Sequence, residues 1–102
     1  MSSVDIKEKF NYAIKYLKYS PKSVSINDLQ KLDFYKYYKQ ATEGDNKGPQ
    51  PSILNFREKA KWSAWNGLLG MKQETAMQEY LKLLNKHKPD WEKDAKILHI
   101  PA

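Results

Sequence analysis

The sequence predicts an all-α protein, a four-helix bundle, and three observations carry that expectation. Apolar residues recur at helical spacing in four separate stretches. None of those stretches alternates with the period of two that a half-buried strand requires. Glycine or proline closes each one. At 102 residues, with 40% apolar and 29% charged side chains, the chain is expected to fold as one soluble domain with a single modest core.

The first helix is expected from Val4 to about Lys18. Phe10, Ala13, Ile14 and Leu17 form an apolar stripe, and Lys7, Glu8, Lys9 and Lys15 lie mostly off it. Tyr19-Ser20-Pro21 ends this helix, because the residue before a proline avoids the helical region, and a loop follows to about Val24. The second helix opens at Ser25, read as an N-cap with Asp28 three residues on. It runs through Leu29, Leu32, Phe34, Tyr35 and Tyr38 to the stop at Gly44, with Phe34, Tyr38 and Ala41 on one face.

Asp45 to Ser52 is turn chemistry throughout, and the longest loop. Asn55, with Glu58 behind it, caps a third helix carrying Phe56, Ala60, Trp62, Ala64, Trp65, Leu68 and Leu69 as far as Gly70. Gly67 weakens its final turn by about 1 kcal/mol relative to alanine. The fourth helix runs from about Gln73 to Lys88, with Ala76, Met77, Tyr80, Leu81 and Leu84 inward and Pro89 as the stop. Beyond it, Trp91 and Ile97-Leu98 either pack back on the bundle or trail from it.

Charge points to an anionic partner. Lys and Arg number 18 against 12 Asp and Glu, a net charge of +6. Nucleic acid, a membrane surface or a phosphorylated metabolite would each suit, although Arg57 is the only arginine and base readout leans on guanidinium groups. The absence of cysteine excludes disulfides, thiolate metal sites and a thiol nucleophile. His87 and His99 lack the spacing of metal ligands and are expected to be solvated or packed. No Ser-His-Asp, Cys-His or Walker pattern occurs, so no enzymatic activity is expected. Met1-Ser2-Ser3-Val4-Asp5 carries no apolar signal core and no Gly at position 2, and no window approaches a membrane span, so a cytoplasmic, unanchored protein is expected.

The residues with most to offer a ligand are Tyr35, Tyr38 and Lys39 on the second helix, Lys61 and Trp62 on the third, and Tyr80 on the fourth. Tyr35 and Lys39 share a helical stripe by i, i+4. A phenol beside an ammonium suits a phosphate monoester, since lysine supplies charge and tyrosine a directional O–H donor.

With those residues in place, the chain resembles the acyl-CoA-binding protein family, also called the diazepam-binding inhibitor family. The likeness rests on Tyr35-x-x-Tyr38-Lys39-Gln40-Ala41-Thr42-x-Gly44-Asp45, on Pro51, on Lys59-Ala60-Lys61-Trp62-x-Ala64-Trp65-Asn66 and on Ala76-Met77-x-x-Tyr80. It spans about Phe10 to Trp91. The resemblance implies an up-down-down-up bundle that binds a long-chain acyl-CoA thioester, carries it through the cytosol and holds a pool of it. It also implies a monomer, with no cofactor, no metal and no nucleic acid. Membranes and enzymes would be met transiently as donors and acceptors, without stable anchoring. By the same resemblance Tyr35, Lys39 and Lys61 would hold the 3′-phosphate of CoA, Tyr80 would line the site, Lys18 would be a further contact, and Tyr38 would pack the adenine. Ala13, Ile14 and Leu17 would wall the acyl groove.

On this reading residues 4–91 form the acyl-CoA-binding domain, and 92–102 are a C-terminal tail without a functional assignment. The chain departs from the family pattern in four places. Lys72 replaces the usual Ser or Thr cap, so the fourth helix is expected to fray or to start at Thr75. The stretch from Ser20 to Asn27 is longer than in short members, Ile14 replaces a smaller residue, and the tail has no counterpart. Two other readings compete: a basic helical nucleic-acid-binding module, against which Glu8, Asp28, Asp33 and Glu43 interrupt the basic residues, and a protein-interaction adaptor using the Ile97-Leu98 region.

Overall fold

The computed structural model describes residues 3–101. Helix α1 spans Ser3–Tyr19, α2 Asp28–Glu43, α3 Phe56–Asn66, α4 Gln73–His87 and α5 Trp91–Ile97, with one 3-10 turn at Pro21–Ser23. Met1 and Ser2 of the N-terminal segment, and Ala102 at the other end, lie outside the described residues. No strand occurs among the described residues, and no helix there is long and apolar enough to cross a membrane.

Helix α4 is the hub, with α1 and α2 packed on it and α3 laid on the outer side of α2. Tyr80 of α4 explains the arrangement, because Phe10 of α1 and Phe34 of α2 both meet its ring edge-on, with centroids 5.1 and 5.4 Å away. Contacts between Ala41 and Gln73, and between Phe34 and His87, show α2 and α4 running antiparallel. Tyr35 meets Lys61, and four residues further along both helices Lys39 meets Trp65, so α2 and α3 run parallel. The bundle is thus up-down-down-up.

Two helix boundaries differ from those expected, and a third holds where a missing cap was expected to shift it. The N-cap of α2 is Asn27, not Ser25: Asn27 Oδ1 accepts from the Gln30 amide at 2.8 Å and Gln30 Oε1 accepts from the Asn27 amide at 2.8 Å. That reciprocal pair satisfies two orphan donors, whereas Ser25 is exposed on the loop before it. Helix α3 stops at Asn66 rather than near Gly70, because Gly67 caps it and the chain continues in turns. Helix α4 begins at Gln73 despite the absence of a side-chain cap on Lys72. The Gln73 amide group donates to the Ala41 carbonyl at 3.1 Å, which ties that end to α2 and removes the reason to slip to Thr75.

The region after Pro89 packs back on the bundle. Trp91 is fully buried between Tyr12 and Tyr16 of α1, its indole N–H donates to Asn85 Oδ1 at 2.9 Å, and the Tyr16 phenol donates to Asp94 Oδ2 at 2.7 Å. Burial, and then the Asp94 hydrogen bond, push the Tyr16 phenol up to about 12. His99, at φ 59°, closes α5 in the left-handed conformation, and the Ile100 amide returns to the Ala95 carbonyl at 2.9 Å while its side chain enters the core.

The buried face of α2 is rotated from the simple stripe. Phe34 and Ala41 are buried as expected, but Tyr38 is 39% exposed while Gln40 is completely enclosed. Gln40 Nε2 donates to Asp45 Oδ1 at 2.9 Å and to the Met71 carbonyl at 2.8 Å, and Asp45 Oδ1 also accepts from the Gly70 amide at 2.9 Å. Gly44 turns the chain at φ 79° so that Asp45 reaches this position. The Gln40-to-Asp45 block is therefore a buckle joining the loop after α2 to the loop before α4.

These two hydrogen bonds, the Gln40 bond first, hold the Asp45 carboxyl below the usual carboxylate range. A depressed pKa adds stability that is present above about pH 4 and is lost as pH falls through the folded-state value. Asp45→Asn retains an acceptor at the same position but not the charge, so in a urea-unfolding series it is expected to be modestly less stable than the wild type at pH 7, with the difference shrinking as pH falls below about 4.

Candidate functional site

Helix α3 buries no residue fully. It is held by its tryptophans instead: the Trp62 indole donates to the Gly48 carbonyl at 3.0 Å and the Trp65 indole to the Gly44 carbonyl at 2.9 Å. Both carbonyls belong to the loop after α2, so the loop and the tryptophans together set how α3 lies beside α2. Asn46, buried beneath, reaches the Trp62 carbonyl at 3.4 Å. The seam between the helices stays open over part of its length, and the cationic residues gather along it.

Lys61 Nζ lies 5.0 Å from the ring centroid of Tyr35, and Lys39 Nζ lies 4.8 Å from that of Trp65. Each ammonium also has a carboxylate on its own helix, Glu58 at 3.5 Å from Lys61 and Glu43 bonded to Lys39. The Glu43 bond raises the Lys39 pKa, with smaller contributions from the phenols of Tyr35 and Tyr38, so this lysine is held charged. The arrangement offers two aimed cations and two adjacent phenol groups on one seam. An incoming dianion would displace Glu43 and Glu58, partners that water already competes for, and would bind without discharging either lysine.

Tyr80 lies on α4, near enough to Tyr38 for the two phenols to act on each other. Burial raises its pKa, with a further push from the phenol of Tyr38. Its ring is engaged by Phe10 and Phe34, so its main contribution is to the core. Tyr35 and Lys61 are thus brought together, as are Lys39 and the phenols of Tyr35 and Tyr38, while Tyr80 adjoins this group only through Tyr38. Lys18, exposed in the last turn of α1, lies on a helix that contributes none of the other charged residues.

Next to the cationic seam lies a cleft of about 710 Å³ between the N-terminal halves of α2 and α3. Lys31, Leu32 and Tyr35 line one side, and Phe56, Arg57, Ala60 and Lys61 the other. A second cleft of about 520 Å³ lies under the loop after α1, walled by Leu17, Val24, Ile26 and Phe34. Lys31 borders both. Of the three first-helix residues expected in a groove, Leu17 lines this second cleft, Ile14 is half-buried against the core, and Ala13 is fully buried inside it. Ala13 is a packing residue here because α1 turns that side toward α4.

Lys31 and Arg57 were not among the residues expected at the site. The signal was present: each stands four residues before a named one, Lys31 before Tyr35 and Arg57 before Lys61, on the same helical stripe. His87 stacks at a tilt on Phe34 with centroids 5.8 Å apart, and His99 is exposed. No cluster that could hold a metal ion occurs among the described residues.

A family model described as Acyl CoA binding protein matches residues 7–84. The acyl-CoA-binding protein of Saccharomyces cerevisiae is 38% identical over 80 residues, which cover 78% of this chain and 90% of the yeast protein. The "Acyl-CoA-binding domain-containing protein 6 homolog" of Dictyostelium discoideum is 35% identical over 98 residues; these are 95% of this chain but 34% of that protein, so the chain spans about a third of that relative. The solution structure of the acyl-CoA-binding protein of Babesia bovis superposes with a TM-score of 0.73 at 44% identity, covering 90% of this chain and 99% of that one. The chain belongs to the acyl-CoA-binding protein family.

Proposed function

We propose that this protein binds long-chain fatty acyl-CoA thioesters and serves as a cytosolic, monomeric carrier and reservoir for them, without catalysing a reaction. The observation that carries the reading is the adjacency of a dianion-ready seam to an apolar cleft. Lys61 and Lys39 are poised over Tyr35 and Trp65, and the cleft begins at the same Tyr35 and Lys61. An amphiphile with a phosphorylated head and a fatty tail uses both. Tyr35, Lys39 and Lys61 hold the 3′-phosphate, and Tyr38, half-exposed beside them, offers its ring to the adenine. Arg57 and Lys31 add charge for the pyrophosphate. The tail takes the apolar walls, Leu32 and Phe56 in the first cleft and Leu17, Val24 and Ile26 in the second.

Neither half is sufficient alone. Surface cations bind phosphates weakly when water competes, whereas each methylene removed from water contributes about 0.8 kcal/mol. The test is calorimetric titration with CoA, palmitic acid and palmitoyl-CoA. Palmitoyl-CoA is expected to bind at least about a hundredfold more tightly than either half. Affinity for palmitoyl-CoA no greater than for CoA would refute the carrier reading.

A further inference from the structure

The end of the molecule at which the first cleft opens carries two large apolar side chains, Ile53 and Leu54, that line neither cleft, next to Phe56 at the mouth of the first. Ile53, Leu54 and Phe56 are 67%, 84% and 77% exposed within four consecutive residues. Their loop is not slack: the Leu54 amide donates to Ser52 Oγ at 3.2 Å and the Asn55 amide to the Ser52 carbonyl at 2.9 Å, which fixes Ile53 and Leu54 at the tip of a turn. Because α2 and α3 run parallel, exposed Leu29, in the first turn of α2, lies at this same end. Large apolar side chains held in water on a projecting turn form a protrusion, so a shallow deformable surface fits them and a rigid groove-seeking helix does not.

Charge decides which surface. Lys31, Arg57 and Lys61 line the cleft behind the turn, and Lys22 joins Lys31 at the second cleft. Two acids stand among them, Asp28 at 3.9 Å from Lys31 and Glu58 at 3.5 Å from Lys61. Arg57 and Lys22 make no ion pair among the described residues. Apolar residues at a tip, with a surplus of cations set back from it, match the layering of an anionic bilayer, phosphate outside and acyl chains within. We infer that the Ile53–Phe56 turn docks the protein reversibly on anionic phospholipid membranes, with Ile53 and Leu54 entering the headgroup boundary. The docking does not depend on the acyl-CoA reading; if that reading holds, the cleft mouth faces the bilayer when docked.

The experiment is co-sedimentation of ligand-free protein with vesicles of phosphatidylcholine alone and with about 30% phosphatidylserine. The protein should pellet with the anionic vesicles, several-fold less with the neutral ones, and less again as salt rises from about 0.1 to about 0.5 M. Ile53→Ser/Leu54→Ser should reduce partitioning by about tenfold or more without changing net charge. The same variant should keep its far-UV circular dichroism, since both side chains are exposed. Failure to pellet with anionic vesicles overturns the inference, and so does unchanged partitioning of the double variant. Equal binding to neutral vesicles overturns it as well, because the inference specifies an anionic surface. Sedimentation velocity supplies the remaining arm: concentration-dependent dimers abolished by the double variant, with no vesicle binding, would assign the turn to a second copy of this chain instead. Acyl-CoA titration of the same samples separates these outcomes from a failure of the ligand reading.

Discussion

Trp91→Ala is expected to destabilise the protein by about 3–5 kcal/mol and to lower its melting temperature by more than about 10 °C. Trp91 is the largest fully buried side chain, and it lies where three elements meet. Its ring fills the space between Tyr12 and Tyr16, with centroids 5.6 and 5.9 Å away, and its indole N–H satisfies Asn85 of α4. Removing it opens a cavity, leaves Asn85 Oδ1 without its donor, and loosens α5, whose Asp94 accepts from Tyr16. Trp91→Phe keeps much of the volume and loses the hydrogen bond, so its cost should be well under half that of alanine. Urea unfolding of both variants checks this. A loss below about 1 kcal/mol for Trp91→Ala would mean that α5 is not part of the cooperative core.

Lys61→Ala is expected to weaken binding of palmitoyl-CoA by about 10- to 100-fold, with a stability change under about 1 kcal/mol. The separation follows from the geometry. In the free protein Lys61 makes one cation-π contact with Tyr35 and one partly exposed ion pair with Glu58, each a small contribution to folding. To a bound phosphate it would present a charge-assisted hydrogen bond of about 1.5–3 kcal/mol. Lys39→Ala should behave similarly, but with a somewhat smaller net loss, because Glu43 competes more closely for the Lys39 ammonium and must be displaced. The two losses should fall short of additive in the double variant, since both lysines would address one phosphate. Calorimetry with circular dichroism on the same samples reads both quantities. Unfolding of Lys61→Ala at ambient temperature would make this lysine a structural rim residue.

Much of the architecture was legible because its determinants are local. Phe10, Phe34, Tyr80 and Leu84 announce their burial through helical spacing, and Gly44 marks the end of α2 by the conformation it alone adopts cheaply. What was not legible depends on long-range contact. Nothing near Gln40 indicates that Asp45 and Met71 will enclose it, and a glutamine at that position reads as surface. The closure of α5 was hidden because His99, not glycine, takes the left-handed position, held there by the burial of Ile100. At the candidate site, Tyr35, Tyr38, Lys39 and Lys61 were expected from residue type, spacing and the family resemblance, whereas Lys31 and Arg57 needed the parallel placement of α2 and α3 to bring them to one cleft. Ser25 lost the cap of α2 to Asn27 through a contest between two adequate local signals, decided by the partner Gln30.

The central claim is that the seam of Tyr35, Lys39 and Lys61 grips the 3′-phosphate of CoA. Calorimetric comparison of palmitoyl-CoA with its 3′-dephospho analogue tests it most directly, because the two ligands differ in that group alone. The account predicts that dephosphorylation weakens binding to the wild-type protein by about tenfold or more, and that Lys61→Ala, having lost part of the grip already, shows a markedly smaller difference. Equal affinity of the wild-type protein for both ligands would contradict it.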